Sequence, residues 1–372
     1  MTTSQVRLID ILQRGSNGFD VIRLFAAVAV IFGHSFYLFP TGGFHEPVTM
    51  LVQNNFSGTL AVGVFFFISG ILITHSFERN PSVPRYVTMR LARIYPGVLV
   101  CLLVTVFVIG PSVTTLTAHR YLFSPATHCF IRDNWSVTSL FWFWGGPCMH
   151  LPGVFSSNPL PDAVNGSLWT LFPELVCYAY VLVFGLLGVL KSNLRIFLAV
   201  FGLLVLHSVS PKLTPYFSDD HYTDYLKVGM FFLAGVVAFA SRKVLVIHWV
   251  YLVPLVIFAS FTQHTPVAEY ALYIALFYLV LVCAASPVSK RIMLPGDYSF
   301  GTYIYGFVIQ QSVAHTFPSL TSYSSNLLCI PIAVGAGVAS WHLVERPMLS
   351  FGRKLTSRFA RRRGQTPACD LT

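Results

Sequence analysis

The sequence predicts an all-α, polytopic membrane protein with about ten transmembrane helices and both termini in the cytoplasm. Composition is the first of three observations behind this. The 372 residues are 55% hydrophobic, 15% aromatic and only 10% charged, whereas soluble domains average about 25% charged side chains. A soluble chain of this length could not coat its surface with so few charges, and the mean hydropathy of +0.66 agrees. The second observation is the recurrence of apolar runs near the roughly 20 residues that a helix needs to cross about 30 Å of hydrocarbon. The third is where the cations fall. Together they exclude soluble dinucleotide-binding enzymes, nucleic-acid modules and secreted disulfide scaffolds as first readings.

In chain order, residues 1–18 form a cytoplasmic segment without the short apolar core and small-residue cleavage site of a secretory leader. Spans are then expected at 19–39, 58–78, 94–115, 167–189, 194–209, 225–241, 244–262, 267–286, 298–317 and 324–345. The shorter ones can be completed by tilt or by extension at their ends. The first span carries Asp20, Arg23 and His34 and reads as an uncleaved anchor. Residues 116–166 make the one long external loop. Within it, 135–150 is short and broken by Gly145, Gly146 and Pro147, so it reads as interfacial or re-entrant. The membrane domain covers 19–346, and 347–372 is a basic cytoplasmic tail that begins where Pro347 is expected to end the last helix.

With the N-terminus inside, 19 of the 24 Lys and Arg residues fall on the cytoplasmic side. Only Arg120, Arg132, Lys212 and Lys227 fall outside, and Arg23 lies within the first span. That asymmetry is the positive-inside pattern, and a further span at 135–150 would invert it. The net charge of +10 is thereby explained by topology and contact with lipid headgroups, without nucleic acid. Cys101, Cys177, Cys283 and Cys329 fall in spans as small apolar residues, while Cys129 and Cys148 share the external loop, where they can pair if that side is oxidising.

Ionisable groups within spans are costly and mark function. Arg23 and His34 are eleven residues apart, close to three helical turns, so they share a face with backbones roughly 16–17 Å apart. A guanidinium near the inner mouth and an imidazole in the outer half suit an elongated anionic donor. Its phosphates would meet the arginine and its reactive end the histidine. Arg90 and Arg93, in RYVTMRLARIYP, are either snorkelling topology residues or a second clamp for the same phosphates. Glu174, in NGSLWTLFPELVCY, is expected about two turns into the fourth span at the depth of His34. There it either orients the imidazole, binds an acceptor hydroxyl, or makes a structural bond to Asn165, Trp169 or a neighbouring helix. Pro173 is expected to bend that helix.

Weaker candidates follow. Ser69 and Gly70 in FFFISGILIT suit close helix packing. Asp297 and Ser299 are placed to cap the ninth span, in which Tyr303, Tyr305 and Gln310 set polar tips. Glu345 is expected to pair with a cytoplasmic arginine. Phe141, Trp142, Phe143 and Trp144 form either a sugar-stacking platform or an interfacial belt. No spacing resembles a metal site, a Walker loop or a dinucleotide fingerprint.

These residues together resemble the acyltransferase-3 family of multispanning membrane acyltransferases, whose members O-acylate bacterial surface glycans. The resemblance covers about residues 18–350. Arg23 and His34 resemble its arginine–ten residues–histidine motif, Arg90 and Arg93 its cytoplasmic RxxR, and FFFISGILIT its FFxxSGFLI pattern. SLWTLFPE resembles its W-[ST]-L-x-x-E element, and YSFGTYIYGFVIQQ with Glu345-Arg346-Pro347 its last two helices. Gln310 and Gln311 stand near where some relatives carry a histidine, so no catalytic histidine is assigned in that helix. The short tail holds no fused hydrolase-like domain, so transfer is expected to finish in the membrane domain or through a separate partner.

The resemblance implies an O-acetyltransferase of the bacterial inner membrane. Acetyl-CoA, as co-substrate and not a bound cofactor, would enter from the cytoplasm with its phosphates on Arg23, Arg90 and Arg93. His34 would act as general base or transient acyl carrier, and Glu174 would position the imidazole or the acceptor. Asp20, Ser69, Asn165, Trp169 and Tyr303 would support the site. The acceptor is expected to be a cell-surface polysaccharide or lipid-linked glycan reached from outside, with membrane lipids and glycan-assembly proteins as partners. The rival reading is a transporter or flippase. It predicts repeat-related halves and broken helices at midplane, neither of which the sequence displays, and a receptor or scaffold leaves the in-phase Arg23 and His34 unexplained.

Overall fold

Hydrocarbon offers backbone N–H and C=O groups no water, so apolar runs satisfy them internally as helices. The computed structural model describes residues 6–12, 18–51, 55–135, 150–161, 163–213, 220–265, 267–292 and 294–362. Strand β1 (Val6–Arg7) precedes α1 (Phe19–Leu38), α2 (Ser57–Arg79) and α3 (Val83–Val104). Next come α4 (Ala118–Leu122), α5 (Pro125–Trp135), α6 (Leu171–Leu186), α7 (Asn193–Leu213) and α8 (Asp220–Ala240). Strand β2 (Val246–Ile247) leads to α9 (Leu252–Phe261), α10 (Ala268–Ala285), α11 (Ser299–Thr316), α12 (Ser322–Ser340) and α13 (Arg346–Arg362).

Among the described residues, six helical stretches are long and apolar enough to cross a membrane. They are Phe19–Leu38, Ser57–Arg79, Val83–Val113, Leu168–Leu186, Ala268–Ala285 and Ser322–Phe359. Asn193–Val205 and Trp249–Phe261 are apolar but shorter. Helix α11 coincides with the expected span at 298–317 yet carries Gln310, Gln311 and His315. Most of its residues are buried, and Gln310 and Gln311 bond protein carbonyls, so the helix need not be apolar throughout.

Several expectations are corrected. The all-α expectation holds apart from one short bridge, in which β1 and β2 pair antiparallel with Val6 opposite Ile247. That pairing takes the backbone at 246–247 out of the expected span 244–262, whose helical turns begin only at Trp249. Pro347 does not end the last helix. A π-helical turn, Trp341–Glu345, precedes it, and α13 continues through the proline to Arg362. The wider turn makes room where a proline ring would otherwise strike the carbonyl four residues back. The same device recurs in the third span, where the π turn Thr105–Ile109 precedes Pro111. Pro173 sits in the first turn of α6, after a 3₁₀ turn at Leu168–Thr170, where a missing N–H is tolerated. The expected interfacial segment at 135–150 lies outside the described residues apart from its ends.

The chain divides into two compact units, and α1 contributes to both. The first comprises Met1–Val30, Glu46–Glu78 and Val183–Asp297. At one end of it, β1 meets β2, the Gly18 amide donates to the Ala284 carbonyl at 3.1 Å, and Arg242 Nη2 reaches both Glu78 oxygens at 2.7 and 2.9 Å. At the other end, Lys227 pairs with Glu269, whose Oε1 also accepts from Tyr273 at 2.6 Å. Between the ends, α2 and α8 cross at Gly70 and Gly235, where an added Cβ would lie 2.1 Å from the Phe232 or Phe67 carbonyl oxygen. Gly70 therefore serves helix packing, by the small-residue logic of membrane interfaces.

The second unit comprises Ile31–His45, Arg79–Leu182 and Tyr298–Thr372. Its core includes Ile31, Leu38, Phe39, Phe307, Val313, Ala314, Cys329 and Ala333. Parts of the expected external loop are fastened to the helices. The Tyr121 hydroxyl donates to the Val106 carbonyl at 3.0 Å, the Thr115 amide to Gly153 at 3.1 Å, and the Gln311 amide to Leu160 and Ala163, both at 2.7 Å. Cys129 is disulfide-bonded, and its expected partner Cys148 lies outside the described residues, as do the aromatic residues 141–144.

Candidate functional site

His34 is half-buried near the end of α1. The residues around it are fixed by polar contacts that a purely apolar helix would lack. Three residues before it, the Ile31 carbonyl accepts from Gln310 Nε2 at 2.8 Å. One residue after it, the Ser35 hydroxyl accepts from Asn326 Nδ2 at 2.9 Å. The imidazole itself meets the Phe307 ring edge-on, with centroids 5.3 Å apart and planes at 83°. Gly166 packs against the same ring, where a Cβ would come within 2.9 Å of it. An aromatic wall therefore restricts the imidazole, a side chain of a type that can both donate and accept hydrogen bonds.

The segment before α6 is tied to the same helix as that wall. Asn165 is buried and its Nδ2 donates to the Ile304 carbonyl at 2.9 Å, while its Oδ1 accepts from the Ser167 amide at 3.2 Å. The Tyr303 hydroxyl lies 2.9 Å from Thr170 Oγ1. Asn165 and Tyr303 thus hold the start of α6 against α11, and Trp169 is half-buried between them in sequence. Glu174 is in the first turn of α6, a placement that the helix dipole favours for a carboxylate, and it lies about two turns into the span that begins at Leu168, as expected. Among the described residues it bonds neither Asn165 nor Trp169. Its Oε1 accepts from the hydroxyl of Tyr178, one turn along the same helix.

The three arginines differ in surroundings. Arg23 pairs with Asp297, with side chains 15% and 14% exposed, and its guanidinium lies 5.8 Å from the Phe65 ring centroid. Asp297 is thereby committed to an ion pair instead of capping α11, whose N-cap is Tyr298 without a side-chain cap bond. Arg93 donates to Glu345 Oε2 at 2.7 Å, and Ser340 Oγ donates to the other carboxylate oxygen at 2.9 Å. The arginine expected for Glu345 is therefore Arg93. Arg90 has no carboxylate against it among the described residues. Its guanidinium lies 5.8 Å from the Tyr86 ring and 5.7 Å from the Tyr178 ring, and its buried Nε has no hydrogen-bond partner. Two aromatic faces hold this cation without neutralising it, which leaves it suited to an external anion.

Ser69 is half-buried in the glycine-mediated packing of α2, and Asp20 is exposed in the first turn of α1. No three His, Cys, Asp or Glu side chains gather as metal ligands among the described residues. Tyr86 and Tyr178 were not singled out by sequence reasoning. Their i,i+4 spacing to Arg90 and Glu174 is visible in the sequence, but the approach of α3 to α6 that joins the two pairs is not.

Comparison with known proteins adds to this geometry. A family described as "Acyltransferase domain" matches residues 16–344. A protein of Shigella phage Sf6 named "O-acetyl transferase" is 28% identical over 349 residues, covering 90% of this chain and 96% of its own length. "Nodulation protein 10" of Rhizobium leguminosarum bv. viciae is 26% identical over 371 residues, covering 92% of this chain and 95% of its own length. No solved structure matches the chain.

Proposed function

The chain belongs to this acyltransferase family, and on that premise we propose that it moves an acetyl or similar small acyl group from acyl-CoA to a hydroxyl of a cell-surface polysaccharide or lipid-linked glycan. The observation that carries the reading is His34, a titratable side chain held between fixed backbone points and an aromatic wall. It shares the helix α1 with Arg23. The similarity to a protein named as an O-acetyl transferase supports oxygen as the acceptor atom. The apolar helices support a multi-pass location, which we assign to the bacterial inner membrane.

Acyl-CoA would approach from the cytoplasm. Arg90 is the prime phosphate ligand because no carboxylate neutralises it among the described residues. Arg93 and Arg23 carry positive charge that a carboxylate already balances, so they add less field and more positional order. At the thioester, two routes fit an imidazole. In the first, it takes the proton of the acceptor hydroxyl as that oxygen bonds to the carbonyl carbon. The carbon–sulfur bond then breaks, and the imidazolium returns the proton to the CoA thiolate. In the second, an imidazole nitrogen bonds to the carbonyl carbon as the carbon–sulfur bond breaks and CoA leaves as thiolate; the acceptor oxygen then bonds to that carbon as the carbon–nitrogen bond breaks, and its proton passes to the thiolate. Glu174 would hold the acceptor or the imidazole through its second oxygen. The 116–166 loop would receive the glycan.

The test is thiol release from acetyl-CoA by purified protein with and without glycan acceptor. Wild-type protein is expected to release CoA and acetylate the glycan, and His34→Ala to abolish both while still binding acetyl-CoA. Retained transfer by His34→Ala would refute the catalytic role of this residue.

A further inference from the structure

We propose that Tyr178 is a positioning residue that couples the donor-binding arginine to the carboxylate of Glu174; the inference rests on the acyl-transfer reading above and deepens it. Tyr178 makes three distinct interactions, each with a different part of itself. Its hydroxyl donates to Glu174 Oε1. Its ring lies 5.7 Å from the Arg90 guanidinium. Its backbone carbonyl accepts from the Tyr86 hydroxyl at 2.9 Å, and the Tyr86 ring is the second aromatic face beside Arg90. Both tyrosines are 6% exposed, so neither ring can swing away without opening the packing between α3 and α6.

A carboxylate in such surroundings needs donors to hold its orientation. Tyr178 supplies one at Oε1 and leaves Oε2 for a ligand, because no other donor reaches Glu174 among the described residues. The i,i+4 geometry fixes the direction of that bond along one face of α6. The ring of the same residue meets a cation that has no counter-ion among the described residues. An anion bound by Arg90 would pull on a guanidinium stacked against the ring whose hydroxyl aims Glu174. Donor occupancy and carboxylate position thus share one rigid side chain.

Three proteins decide it: wild type, Tyr178→Phe and Tyr178→Leu, each assayed for acetyl-CoA turnover and for thermal unfolding in detergent. Tyr178→Phe keeps the ring and loses only the bond to a charged acceptor. It is expected to hold KM for acetyl-CoA near wild type while kcat falls about tenfold or more. Tyr178→Leu also removes the aromatic face, so KM should rise several-fold on top of the fall in kcat. A merely structural tyrosine would change kcat and KM together or alter only the unfolding midpoint. Wild-type kcat in Tyr178→Phe, or wild-type KM in Tyr178→Leu, overturns the coupling. Should Tyr178→Phe unfold, Tyr86→Phe, which releases the Tyr178 carbonyl but keeps both rings, is expected to lower kcat with little change in KM; unchanged kcat there overturns the proposal. Wild-type protein inert toward acetyl-CoA removes the acyl-transfer reading itself, and the inference falls with it.

Discussion

Truncating Arg93 is expected to cost stability before it costs a substrate contact. The perturbation is Arg93→Ala. In the structure its guanidinium is 2.7 Å from Glu345 Oε2, with side chains 12% and 0% exposed. It also lies 5.3 Å from the Phe300 ring and 5.6 Å from the Trp341 ring. Removing one partner of a buried pair strands the other charge, which costs about 3–5 kcal/mol. Loss of the aromatic contacts adds roughly 0.5–2 kcal/mol. The remaining bond from Ser340 to Glu345 softens the loss without neutralising the carboxylate. At roughly 2 °C per kcal/mol for a long chain, the midpoint should fall by about 6–12 °C. Replacing both partners by methionine removes the stranded charge, and such swaps are near neutral in other buried pairs. The assay is thermal unfolding of purified protein in detergent, run beside acetyl-CoA binding. An unchanged midpoint in Arg93→Ala, or a double variant no more stable than the single one, would show that the pair does not carry this energy.

Two further outcomes follow from other parts of the fold. Gly70→Ala and Gly235→Ala each place a Cβ 2.1 Å from a backbone oxygen, so both should lower the yield of folded protein sharply, whereas Gly202→Ala, with nothing within 4 Å, should be tolerated; equal behaviour of the three would contradict the helix crossing. Glu46 lies outside the spans, and although its burial raises the carboxyl, hydrogen bonds from Ser57 and Thr49 outweigh that and hold it below its usual 4.5. A depressed carboxyl stabilises the fold above its unfolded value, and that contribution disappears as pH falls through the folded one. Glu46→Gln should therefore be less stable at neutral pH by about 1 kcal/mol and lose less on acidification; identical acid curves for the two proteins would exclude Glu46 from the transition.

Much of the architecture was legible because membrane helices answer to local rules. A run of apolar residues in hydrocarbon must satisfy its own backbone, so composition alone marks α1, α2 and the long helices that begin at Val83 and Ser322. Misreadings arise where another element supplies the bonds. The backbone at 246–247 pairs with β1, 240 residues earlier in the chain, and the expected span shortens accordingly. Pro347 looks like a stop until the π turn before it makes room for the ring. By contrast, α11 was legible as the span at 298–317, and it accommodates Gln310 and Gln311 because they bond the carbonyls of Ile31, Leu160 and Ala163.

At the candidate site the division is sharper. Arg23, His34, Arg90, Arg93 and Glu174 were identifiable from the sequence because charge inside an apolar run is conspicuous and helical spacing gives phase. Their partners were not. Arg93 finds Glu345 across 252 positions of sequence and Arg23 finds Asp297 across 274, distances over which periodicity carries no information. Spacing alone made Arg90 and Arg93 look equivalent. Packing neutralises Arg93 with a buried carboxylate and sets Arg90 between two tyrosine rings. The sequence by itself determined that this chain builds helices around a few costly charges. Only the tertiary structure decided which of those charges meet a carboxylate and which lie against aromatic rings, because a charge's surroundings are set by side chains that meet only once the helices pack.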